Sequence, residues 1–104
     1  MLLSEKQLSQ VDSQIKRLIK TDSFYGKKYR EMGITCCKNQ DDFDRIPFSC
    51  KDDLRFAYPL GIQAVDDSEV VRIHSSSGTT GRPVIIPYTK KDVDDWATMF
   101  ARCY

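Results

Sequence analysis

The sequence predicts an α/β fold, with helices over residues 1–69, a strand–loop–strand unit over 70–89 and a helix over 90–104. Three observations carry this reading. Apolar residues recur at three- and four-residue steps in the early part of the chain and again after Thr89, the spacing of one helix face. Val70, Val71 and Ile73, then Val84, Ile85 and Ile86, form two short β-branched runs bounded by turn residues, which read as strands. Between them, the seven positions from Ser75 to Gly81 hold three serines, two threonines and two glycines.

The elements follow in order. Ser4 to Lys20 is an amphipathic helix, with Leu8, Val11, Ile15, Leu18 and Ile19 on one face and Ser4 with Gln7 as a capping box. A second helix is expected over Ser23 to Met32, with Phe24, Tyr25, Tyr29 and Met32 on its buried side and Gly33 as the C-terminal cap. Lys27, Lys28 and Arg30 are interspersed there and read as a solvated face. Gln40 to Ile46 is a short helix or turn ended by Pro47, and Ser49 caps a further short helix, Cys50 to Phe56. Asp52 and Asp53 are adjacent and do not share a helix face, so they read as helix-start acids and not as a catalytic dyad. Tyr58 to Gly61 marks a turn. Thr89 with Asp92 caps a last helix, on which Val93, Trp96, Ala97, Phe100, Ala101 and Tyr104 fall at helical spacing.

Length and composition bound the function classes. At 104 residues the chain is at most one small domain, burying about 65% of its unfolded surface if it folds alone. Sixteen basic and fifteen acidic side chains nearly cancel and form no basic block, against nucleic-acid binding. No apolar run approaches a membrane span, and polar SEKQ follows Leu2 and Leu3 at once, so neither a membrane anchor nor a signal peptide is expected. The expected location is cytoplasmic. Cys36 and Cys37 are adjacent while Cys50 and Cys103 stand alone, so no C-x-x-C pair exists. With His74 as the single histidine, reduced thiols are expected and no metal site.

The Ser/Thr/Gly loop has a physical use. Gly78 and Gly81 let backbone N–H groups face a ligand where a Cβ would clash. Ser76, Ser77, Thr79 and Thr80 add rotatable hydroxyl donors, and Arg82 adds a planar cationic fork suited to phosphate. A Walker A loop is excluded: the glycines are three apart, no Lys-Ser/Thr pair follows, and Pro83 and Pro87 oppose a helix after Arg82. Two readings stay open on composition alone, a polyphosphate cradle and a hairpin turn that binds nothing.

The segment SSGTTGRP resembles the phosphate-binding loop of the adenylate-forming superfamily. Three blocks in order, IPFSCKDDLRFAYPLGIQAV (Ile46 to Val65), EVVRIHSSSGTTGRP and YTKKDVDDWATMFARC, are similar to the N-terminal region of phenylacetate-CoA ligases. The resemblance runs from about Phe24 to Tyr104 and is weakest over Met1 to Thr21. Many superfamily members place a lysine after the loop proline; this chain has Val84, as fits the phenylacetate-CoA ligase subgroup.

The resemblance implies the N-terminal portion of a large adenylation domain, incomplete here. It implies a ligase using ATP with Mg2+ and coenzyme A to activate an aryl carboxylic acid, with a homodimer as one assembly. Its phosphate loop would comprise Ser76, Ser77, Gly78, Thr79, Thr80, Gly81, Arg82 and Pro83, with Thr79 and Thr80 on the phosphates. His74, within the RIH block, is either a packing residue or one that acts near the nucleotide. The family's aromatic-Gly-x-Thr-Glu motif, ribose-binding aspartate and catalytic lysine do not occur after Thr89, so no catalytic residue is expected in this chain. The alternative is a non-catalytic remnant, or a small protein that binds a partner through its Trp96–Tyr104 face.

Overall fold

A computed structural model describes residues 2–76 and 83–103. Among them are five α-helices, one 3-10 turn (Asp67–Glu69) and one two-stranded antiparallel sheet: an α/β composition with no strand before Val70. The chain divides into two compact units, Met1–Cys50 and Lys51–Tyr104.

The first unit holds α1 (Glu5–Leu18), α2 (Phe24–Glu31) and α3 (Gln40–Asp44). Ser4 and Gln7 form the expected reciprocal box at the start of α1. The apolar stripe of α1 buries Ile15 beside Ile34 and Cys37, with Leu8, Val11, Ile19, Tyr29, Phe43 and Ile46 packed around them. The Ser23 hydroxyl accepts the Gly26 N–H at 3.1 Å and starts α2. That helix ends in a Schellman turn: the Ile34 N–H donates to Tyr29 O at 2.9 Å and the Gly33 N–H to Arg30 O at 3.1 Å. Gly33 takes φ +74°, a left-handed conformation that a side chain would strain.

Two expectations for α2 need correction. Met32 is half exposed, because the helix stops at Glu31 and the chain turns away before Met32 can join the buried side. Arg30 is not simply solvated: its guanidinium donates to Ile19 O at 2.7 Å and Thr21 O at 2.6 Å, satisfying carbonyls left open where α1 ends. Charge alone could not show this, since the carbonyls come from another element.

The second unit holds α4 (Lys51–Phe56), β1 (Val70–Ser75), β2 (Ile85–Thr89) and α5 (Lys90–Cys103). On α4, Asp52 pairs with Arg55 at 2.9 Å, one turn away. Thr89 and Asp92 cap α5 reciprocally: the Thr89 N–H donates to Asp92 Oδ2 at 2.9 Å and the Asp92 N–H to Thr89 Oγ1 at 3.2 Å. Lys90–Asp94 and Lys91–Asp95 line its outer side at i,i+4 spacing.

Strand register explains how a proline fits within β2. Arg72 faces Tyr88, Ile73 faces Pro87, His74 faces Ile86 and Ser75 faces Ile85. Extending that register pairs Ser76 with Val84, where the Ser76 N–H donates to Val84 O at 2.9 Å. Hydrogen-bonded and non-hydrogen-bonded pairs alternate along an antiparallel ladder, so Ile73–Pro87 falls on a non-bonded pair. The missing N–H of Pro87 would have pointed away from β1, and no ladder bond is lost.

Candidate functional site

The hairpin carries the candidate site. Of the eight loop residues read from the sequence, the structure describes two, Ser76 and Pro83; Ser77, Gly78, Thr79, Thr80, Gly81 and Arg82 lie outside the described residues. Ser76 directly follows β1 and is exposed, while Pro83 is half-buried beside the buried Val84.

Where the strands reach this segment, the ladder changes. A hydrogen-bonded antiparallel pair ordinarily exchanges two backbone bonds. Ser76 makes one of them to Val84, but the Val84 N–H donates to the Ser76 hydroxyl at 3.1 Å. Val84 is 7% exposed, so its N–H would cost about 1–3 kcal/mol if left without an acceptor. The Ser76 hydroxyl supplies that acceptor and removes the cost. Sequence reasoning grouped Ser76 with its serine neighbours; only the pairing register separates it from them.

His74 sits among aromatic rings. Its imidazole lies 4.8 Å from the Tyr88 ring and 6.2 Å from Trp96, both edge-on, and Trp96 lies 5.1 Å from Phe100. These contacts fasten α5 to the hairpin face that bears His74 and Tyr88. Of the two roles open for His74, packing is the one this geometry displays. The opposite face keeps Val71 and Ile73 more than half exposed.

Cys37, Asp12 and Asp42 have structural roles. The Cys37 side chain is fully buried, and burial, aided by Asp42 and Asp12, pushes its thiol up, which opposes nucleophilic use. Asp12 accepts the Cys37 N–H at 2.8 Å and pairs with Lys16 at 2.8 Å. The Lys16 hydrogen bond, then that of Cys37, holds the Asp12 carboxyl below the usual carboxylate range. Asp42 accepts the Lys38 N–H at 2.9 Å and also pairs with Arg45. Neither role was visible in the sequence, because the partners are fixed by the turns around residues 36–39. Among the described residues, no group of three or more His, Cys, Asp or Glu side chains is placed to hold a metal. No helix among them is long and apolar enough to cross a membrane. The first unit bears a groove of about 460 Å³, walled by Leu3, Val11, Ile15, Leu18, Phe43 and Ile46. Gln7, Gln10, Gln14 and Tyr29 also line it, and the lining contains no carboxylate, amine or thiol to act on a substrate.

Comparison with known proteins shows what the chain resembles. No protein-family model matches the chain. A phenylacetate-coenzyme A ligase of Pseudomonas putida is 38% identical over 105 residues, covering 96% of this chain and 23% of the relative. By sequence, the chain is a relative of phenylacetate-coenzyme A ligases. A ligase of that name from Aromatoleum evansii is 39% identical over 92% of this chain, and one from Escherichia coli is 41% identical over 75%. The chain spans about a fifth of the length of these phenylacetate-coenzyme A ligases, 23%, 22% and 18% respectively. The resemblance seen in the sequence blocks is thus confirmed across nearly the whole chain, including the weakly matching start.

Proposed function

We propose that this chain is the N-terminal portion of an AMP-forming aryl-acid–coenzyme A ligase and contributes its ATP phosphate loop. The observation that supports the reading most is the match to phenylacetate-coenzyme A ligases over 96% of the chain. The hairpin adds to it: two strands bracket the SSGTTGRP segment, as a loop presented from a sheet edge requires.

In the proposed reaction a phenylacetate-like carboxylate attacks the α-phosphate of ATP, forming an acyl-adenylate and releasing pyrophosphate. The sulfur of coenzyme A then attacks the acyl carbon, and AMP leaves. During the first step negative charge grows on the departing phosphates. Loop N–H groups, the Thr79 and Thr80 hydroxyls and Arg82 stabilise it by charge-assisted hydrogen bonds, each worth about 1.5–3 kcal/mol. Magnesium would neutralise phosphate charge; among the described residues no group of three or more His, Cys, Asp or Glu side chains is placed to hold it. The catalytic glutamate and lysine, the acid pocket and the coenzyme A site belong to the larger protein.

The uncovered apolar surface of the second unit agrees with this placement. Trp96, Met99 and Phe100 on α5, and Val71 and Ile73 on β1, remain about half exposed or more. Relatives four to five times longer have the chain to cover them.

A segment exchange tests the reading. This chain replaces the matching segment of the Pseudomonas putida relative, and AMP release is followed with phenylacetate, Mg-ATP and coenzyme A. The expected result is AMP formation by the exchanged enzyme. A folded exchanged enzyme that releases no AMP would overturn it.

A further inference from the structure

Three consecutive serines, Ser75, Ser76 and Ser77, enter the proposed phosphate segment, and composition treats them alike. The ladder does not. Ser75 pairs with Ile85 as an ordinary strand residue. Ser76 gives its N–H to Val84 O and receives the Val84 N–H on its hydroxyl oxygen, at 2.9 Å and 3.1 Å. Its side chain thereby stands in for its own carbonyl in the last rung.

We propose that Ser76 is a positioning residue: its hydroxyl clasps Val84 and closes the last rung of the ladder, fixing the two strand ends between which the phosphate segment is held. The proposal rests on the ATP-loop reading above and deepens it. Two features favour a clasp over an incidental contact. Val84 is buried, so its N–H needs an acceptor inside the protein. Pro83, immediately before it, has a fixed φ and no N–H of its own, so the return path into β2 is stiff and its first available donor is that of Val84. A stiff return path with one anchored donor holds its entry partner in place. A short hydroxyl at position 76 is what closes the rung from the side chain.

The clasp has a separable signature. A side-chain acceptor is removed by Ser76→Ala and kept by Ser76→Thr, whereas the backbone bond from the Ser76 N–H survives both. The experiment uses this chain, labelled for amide NMR, and reads two things: hydrogen exchange at the Val84 amide, and the shifts of the Ser75, Ser76 and Val84 amides on adding Mg-ATP. Slow Val84 exchange is expected in the unchanged chain, faster by about tenfold in Ser76→Ala and restored in Ser76→Thr, the scale of one lost hydrogen bond. The Mg-ATP response should weaken about fivefold or more in Ser76→Ala and return in Ser76→Thr. Val84 exchange that is already fast, or that ignores Ser76→Ala, overturns the clasp. A Mg-ATP response equal in the unchanged chain and in Ser76→Ala overturns the positioning role and leaves the ligand reading standing. No response in the unchanged chain overturns phosphate binding by these residues on their own, while the exchange rates still decide the clasp.

Discussion

Asp12 Oδ1 accepts the Cys37 amide proton at 2.8 Å, joining the middle of α1 to a turn 25 residues later. Lys16, one turn further along α1, holds the same carboxylate at 2.8 Å. The contact closes the first unit over Ile15, Ile34 and Cys37, its buried centre.

Acid should weaken this tie first. The folded-state pKa of Asp12 is depressed, by the Lys16 hydrogen bond and then by that of the Cys37 amide. A depressed carboxylate contributes stability that is complete above its unfolded value and is lost as pH falls through the folded one. Asp42 acts in the same sense, through the Lys38 amide first and the Arg45 side chain after it. Asp12→Asn keeps an oxygen for the Cys37 N–H but removes the charge. Urea midpoints should therefore show the variant less stable at about pH 7, with the gap narrowing toward about pH 3, below the ordinary carboxylate value. A gap independent of pH would mean that the charge carries none of the effect.

Gly26→Ala should destabilise the first unit although alanine is the better helix former. A Cβ at Gly26 would press on the Leu18 carbonyl and lie 2.8 Å from Thr21 O, both backbone atoms at the end of α1. The helix-propensity gain is about 1 kcal/mol, and overpacking against backbone costs about 1–3 kcal/mol or more. The clash wins. A lowered urea midpoint is the expected result, and a raised one would show that α1 and α2 can separate freely.

Trp96→Ala should loosen the hairpin without touching the first unit. Trp96 contacts both His74 and Phe100, and such ring pairs contribute about 0.5–1.5 kcal/mol beyond their buried area. Amide exchange should quicken over β1, β2 and α5 and stay unchanged over α1 and α2. Equal acceleration in both units would show that they unfold together.

Within the exchanged ligase, Thr79→Ala combined with Thr80→Ala should slow acyl-adenylate formation about tenfold or more, equivalent to about 1.4 kcal/mol in the barrier. Thiol attack on a supplied acyl-adenylate should barely change, because pyrophosphate has already left. Equal loss in both half-reactions would point to a folding role, and no loss in either would leave the work to backbone amides.

This chain by itself should form no acyl-coenzyme A. Neither the family's catalytic lysine nor its glutamate motif follows Thr89. With phenylacetate, Mg-ATP and coenzyme A, AMP should stay at the level of a protein-free control. Turnover by the chain alone would place catalytic groups within these residues and refute the fragment reading.

The sequence by itself determined the local elements and the resemblance to phenylacetate-coenzyme A ligases. Capping pairs three residues apart, Ser4–Gln7 and Thr89–Asp92, mark helix starts because donor and acceptor lie within one turn. Gly33 marks a helix end because it alone tolerates the left-handed turn there. The order of the blocks around SSGTTGRP carried the likeness to phenylacetate-coenzyme A ligases, since spacing along the chain survives without coordinates. Tertiary structure decided what depends on distant partners: Arg30 on the end of α1, Asp12 on Cys37, and Met32 turned outward. It also separated Ser76 from Ser75. That distinction rests on strand register, and register is a relation between two segments that neither segment encodes alone.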